Sequence, residues 1–253
     1  MFPYQKLPNK FEKEIETLTQ NVIEHPALKN SFYDRWMKSS LSIKQFEIFA
    51  INYFARVSKT PDRLTSIFIS IPDYQSRQII MHNLNDEMGN GYNDAVHVGL
   101  LHHWLDDLHK KIGGRGMEYI LENHQPTDET LLSLKKIKSL SEKNAPSAAG
   151  ILLGQEATGL FQIEYLYEGF RNYKDLYAPG EFNDVAAYHH VHLGLIEKSH
   201  VKGARIIAAR NSPNQKDFGM MSDAYKIYLE SVANSWSSVS REINMLSSKD
   251  LKK

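Results

Sequence analysis

Apolar residues recur along this chain at intervals of three and four, and strand-like alternation is nearly absent. Phe11, Ile15, Leu18 and Val22 mark a first amphipathic helix, and Leu28 to Met37 a short second one. Ser42 with Gln45 forms a capping box, and Leu41 and Phe46 stand at the positions of a hydrophobic staple. A long helix is therefore predicted from Ile43, bent or interrupted at Pro61 and ending near Pro72. Asp73 caps a helix through Ile79, Ile80 and Leu84 to Glu87, which Gly89-Asn90-Gly91 stops. Asn93 or Asp94 caps the next, which carries Leu100, Leu101, Trp104 and Leu108 and ends at Gly113-Gly114. Further helices are predicted from Asp128 to Lys143, from Ala145 to Tyr173, from Glu181 to Arg210 and from Ser222 to Leu246. The expected fold is all-α: about eight to ten helices with short links in a layered bundle. One domain over residues 1–253, with a frayed tail at 247–253, completes the expectation.

Ionisable residues on the apolar stripes are the informative departures, because a charge buried without a partner is costly. Glu87 follows Ile80 and Leu84 at i, i+4, i+7, and His97 precedes Leu101, Trp104 and Leu108 on one stripe. Glu156 sits between Leu152 and Leu160, in line with Ile163 and Tyr167. His200 shares a stripe with His189, Leu193, Ile196, Ala204 and Ile207, and Glu197 stands one turn before it. Glu197-Lys-Ser-His200 is the Glu-x-x-His unit with which helical bundles hold iron or manganese, since the spacing brings a carboxylate and an imidazole to one ion. His192 lies roughly 80° round the helix from His200, taking about 100° per residue. The competing reading has each His bonded to a main-chain carbonyl and each Glu paired with Arg63, Arg77 or Arg205. Four such departures on separate helices favour a shared metal site. His109 and Lys110-Lys111 suit the negative end of their helix dipole.

Composition narrows the chemistry. Lys plus Arg equals Asp plus Glu at 30 each, so no net field draws the protein to nucleic acid or to an anionic membrane. The absence of cysteine leaves His and carboxylate as the metal-binding groups. The start Met1-Phe-Pro-Tyr-Gln-Lys lacks the form of a signal peptide, and no apolar stretch approaches a membrane span, so a cytoplasmic location is expected.

The run from Asp86 to His97 resembles the first signature of the haem-oxygenase-like nonhaem diiron oxidases and oxygenases: an acidic residue, a Gly-rich break and a His. Gln155-Glu156 through Glu168-Gly169-Phe170 resembles the second. The third, His-x-x-x-Asp-x-x-His, is sought between Tyr188 and His200, where the spacing departs from the pattern. With His192 as the first His, the Asp and second His fall on Ile196 and Ser199; with Glu197 and His200 as the last two, the first falls on Leu193. One inserted residue, such as a π-bulge between His192 and Glu197, restores the set, and His189 is the other candidate ligand.

The resemblance implies a haem-oxygenase-like helical bundle in which Glu87, His97, Glu156, His192, Glu197 and His200 surround two irons, or one if the third signature is incomplete. It implies an enzyme that uses O₂ to oxidise or oxygenate a small amino-acid, amine or fatty-acid-type substrate. A related chlamydial branch makes a para-aminobenzoate precursor from its own tyrosine. Analogy with the fold also implies a homodimer. The alternatives are a metal-free enzyme resembling TenA or PqqC, and a non-enzymatic relative that binds a protein partner or a lipid.

Overall fold

The computed structural model describes residues 10–193 and 195–246, with the backbone alone for 195–198. Its α-helices are α1 (Glu12–Gln20), α2 (Ser31–Lys38), α3 (Ile43–Val57), α4 (Thr60–Ser70), α5 (Tyr74–Glu87), α6 (His97–Lys111) and α7 (Met117–Asn123). They continue as α8 (Asp128–Ser141), α9 (Ala145–Phe170), α10 (Glu181–Val185), α11 (Ala187–His192), α12 (Leu195–Arg210) and α13 (Gln215–Met245). No strand occurs among the described residues. No helix there is long and apolar enough to cross a membrane.

These segments outnumber the eight to ten expected because continuous apolar patterns hide breaks. The capping box at Ser42 and Gln45 starts α3 as predicted, and Leu41 and Phe46 are both buried beside it. Pro61 lies in the first turn of a new helix, and of the two outcomes expected there the chain takes the interruption, at Ser58-Lys59. Asp73 caps α5 by accepting from the Ser76 amide. Neither Asn93 nor Asp94 caps α6: they lie in a 3₁₀ turn, and α6 begins at His97 after an extended Val96.

The predicted helix from Glu181 to Arg210 is three helices, interrupted at Ala186 and again at Leu193, whose ψ of 141° is extended. The final helix starts at Gln215 rather than Ser222, capped by Asn214, which accepts from the amides of Lys216 and Asp217.

The apolar helix α9 is central, touching α13, α12, α2, α8, α4 and α11. Gly150 admits α13 to close range, since a Cβ there would lie 2.2 Å from the Met221 carbonyl oxygen. Trp36, Trp104 and Trp236 are fully buried and joined by Phe32, Phe49, Tyr53 and Tyr188 in a chain of ring contacts. Burying each such side chain contributes about 1.5–3 kcal/mol, so this aromatic spine makes a rigid wall for what lies beside it.

Candidate metal centre

Glu87 ends α5 and His97 begins α6, and the reversal between them brings the two side chains together. Gly89, Asn90 and Gly91 all take positive φ, at 74°, 53° and 90°. A Cβ on Gly89 would stand 2.7 Å from the Ala95 carbonyl carbon, so glycine alone permits so tight a return. As a result His97 Nδ1 lies 3.4 Å from Glu87 Oε2. His192, at the end of α11, completes the group: its ring centroid is 4.4 Å from that of His97. One ligand atom from each of Glu87, His97 and His192 lies within 4.8 Å of the other two.

The tautomer of His192 is fixed from outside. Its Nδ1 donates to the Tyr188 carbonyl oxygen at 2.7 Å, which leaves Nε2 as the coordinating nitrogen. Burial, reinforced by the charge of His97, pushes the His192 imidazole down to about 4, so it is neutral at neutral pH. Glu87 behaves oppositely: burial pushes it up, but the neighbouring imidazoles of His97, His192 and His200 together hold it below its ordinary value. A carboxylate and a neutral imidazole thus face one point.

A second group adjoins the first. Glu156, 5% exposed at the middle of α9, turns Oε1 to the amides of Asn83 at 3.4 Å and Gln155 at 3.2 Å. Its Oε2 faces His200 Nδ1 at 3.8 Å, and His200 Nε2 in turn lies 3.1 Å from Asp86 Oδ2. Burial and the charge of Glu87 raise Glu156 above its ordinary value, against the opposing charges of His200 and Arg63. Glu87, Glu156, His192 and His200 line one cavity, together with Tyr53, Arg56, Arg63 and Tyr188.

The arginine alternative does not hold for Glu156. Arg77 donates to the carbonyls of Phe68 and Ile71, and Arg205 to Thr19. Arg63 stops one residue short, donating to Gln155 Oε1 at 2.5 Å. His189 is fully buried against Phe170 and Trp104, so His192 and not His189 stands beside Glu87 and His97. The side chain of Glu197 lies outside the described residues. Between His192 and His200 the chain breaks at Leu193, so an interruption separates the two histidines instead of one continuous helix.

Asp86 was overlooked as a partner, although its signal was present. Ile79, Asn83 and Asp86 follow at i, i+4, i+7, and all three are buried. The polar character of Asn83 and Asp86 hides the stripe from a search for apolar residues.

Iron fits this set on the structure's own terms. His97 Nδ1 is buried and has no hydrogen-bond partner, although it points at Glu87 and His192. An orphaned buried nitrogen is rare without an ion or water to satisfy it, and mixed imidazole and carboxylate donors suit iron.

Comparison with known proteins agrees. The family model described as iron-containing redox enzyme matches residues 47–226, most of the chain. The chain belongs to this family. The match contains Glu87, His97, Glu156, His192 and His200. The 4-aminobenzoate synthase of Chlamydia muridarum is 30% identical over 88 residues, which is 34% of this chain and 35% of that protein. The corresponding protein of Chlamydia pneumoniae is 32% identical over 73 residues, 29% of this chain and 33% of its own. The matched segments thus span about a third of each curated relative.

Two solved structures share the fold. A CADD-like protein of unknown function from Nostoc punctiforme superposes with a TM-score of 0.72 at 16% identity, covering 93% of this chain and 98% of that one. A TenA homologue from Pseudomonas syringae gives 0.72 at 12% identity, covering 95% and 98%. The fold is haem-oxygenase-like, as the resemblance implied.

Proposed function

We propose that the protein is a nonhaem iron oxidoreductase that uses O₂ to oxidise a small organic substrate in the cavity beside Glu87, His97 and His192. The observation that carries this reading is the convergence of those three side chains around an orphaned imidazole nitrogen. Glu87, His97 and His192 would hold one iron; Glu156 and His200 would hold a second. Iron so held supplies one-electron redox chemistry with O₂.

The chain's own groups supply the rest. Glu87 and Glu156 balance the charge of the metal. The Tyr188 carbonyl and the Asp86 carboxylate fix the orientation of His192 and His200. The hydroxyls of Tyr53 and Tyr188, 2.7 Å apart, close the inner wall against Trp104 and limit the access of water from that side. The curated relatives are named for the synthesis of 4-aminobenzoate, which makes an aromatic amino acid one candidate product for this chain.

The test is reconstitution with ferrous iron under anaerobic conditions, followed by metal analysis and exposure to O₂. The expected outcome is one to two irons per chain and consumption of O₂ that depends on that iron. Less than about half an iron per chain under saturating ferrous iron would reject the reading.

A further inference from the structure

The cavity contains two cations that the metal reading does not use. Arg56 on α3 is 9% exposed, donates to Gln162 Oε1 at 3.3 Å and lies over the Trp236 ring at 5.1 Å. Gln162 Oε1 also accepts from the Tyr33 hydroxyl, so this amide gives Arg56 no charge of its own. Arg63 on α4 donates to Gln155 Oε1 and to Thr60 Oγ1. The arginines paired with carboxylates among the described residues are Arg171, Arg205, Arg210 and Arg241, all elsewhere.

Among the described residues, each cavity arginine is therefore hydrogen-bonded only to neutral groups. Glu87 and Glu156 act on Arg63 from a distance, without contact. Once those carboxylates bind a metal, their charge is no longer available to the guanidiniums. A buried cation without a counter-ion is costly, and a structure that keeps two at one cavity leaves room for an anion to enter.

We propose that Arg56 and Arg63 bind the carboxylate of the substrate, so that this cavity takes a small organic acid rather than a neutral amine or alcohol. The inference rests on the reading of the cavity as the substrate site. The planar guanidinium fork matches a carboxylate through paired N–H donors, and the stacking of Arg56 on Trp236 holds that fork in place. Tyr53, Tyr228, Ile163 and Val232 offer mixed aromatic and aliphatic surface to the body of the molecule.

The experiment is calorimetric titration of the iron-loaded and iron-free full chain with benzoate and hexanoate, each against its own amide. At least one acid should bind at least tenfold more tightly than its amide, since hydrogen bonds to charged groups are worth about ten- to hundredfold in affinity. Arg56→Gln should abolish that preference while retaining the wild-type iron content; Arg56→Lys should restore part of it, and thermal denaturation should show both variants folded. Equal binding of acid and amide, or a preference unchanged in Arg56→Gln, would overturn the proposal. Inorganic phosphate that displaces the acids at equal concentration would overturn the assignment to carboxylate. An acid preference in a chain that takes up no iron would reject the redox reading and leave this inference standing.

Discussion

Two clusters in this protein combine buried carboxylate with imidazole, and they are built for different ends. In the first, Glu87, His97 and His192 turn their ligand atoms towards one another beside an open cavity, with Glu156, His200 and Asp86 adjoining them. In the second, Glu47 on α3 stands between His109 of α6 and His124 just after α7. His109 Nε2 lies 3.3 Å from one carboxylate oxygen, and His124 Nε2 lies 3.5 Å from the other. The two imidazoles approach opposite oxygens, and among the described residues this set does not bring three ligand atoms within the span achieved by the first. His109 Nδ1 is also committed, accepting from the Gly116 amide at 3.2 Å. The Glu47 cluster ties the turn before α7 to α3, and His109 stands in the last turn of α6, the position expected of it. Residue type alone does not separate a metal centre from a clamp; the direction of the nitrogen atoms and the space between them do.

Substitutions should separate the two regions by kind of effect. The largest is expected at the first cluster, where Glu87→Ala or His192→Ala should abolish stoichiometric iron uptake in metal analysis of the folded variant. Unchanged iron content would remove that residue from the site. Asp86→Asn should be milder, weakening iron binding by about 10- to 100-fold, because Asp86 orients His200 from the far side of its ring. A competition assay with a chelator reads this directly, and an unchanged affinity would leave Asp86 a packing residue. Glu47→Gln should leave iron content alone and lower stability by about 1–3 kcal/mol in denaturant unfolding, the cost of weakening a buried polar cluster. Lost iron in that variant would erase the distinction between the clusters.

The smallest effect is expected with pH. Burial holds the His192 imidazole down at about 4 and that of His189 well below its ordinary value. An unfolded histidine titrates near 6.5, so between about 6.5 and 4 the unfolded chain binds more protons than the folded one. Stability is fully present above about 6.5 and declines as pH falls through that window. The denaturation midpoint of the iron-free protein should be lower at pH 5 than at pH 7, and a flat profile would contradict the burial of these rings.

The contrast between clusters also shows what the amino-acid pattern could reveal. Helix starts at Ser42 and Asp73 were legible because side-chain caps are local chemistry. Glu87, His97, Glu156 and His200 were legible because each interrupts an apolar stripe, a property of one helix at a time. The pairing of Glu87 with His97 depends instead on a reversal through three residues of positive φ, and that of His200 with Asp86 joins residues 114 positions apart. Neither follows from periodicity. The break at Leu193 was hidden for a related reason: His189, Leu193 and Ile196 continue the apolar spacing straight through it.

The most direct test of the central claim is an anomalous-difference map at the iron absorption edge, from crystals grown anaerobically with ferrous iron. The account predicts a peak enclosed by the side chains of Glu87, His97 and His192, with none beside Glu47, His109 and His124. A map without density in the first cluster, or with iron only in the second, would contradict it.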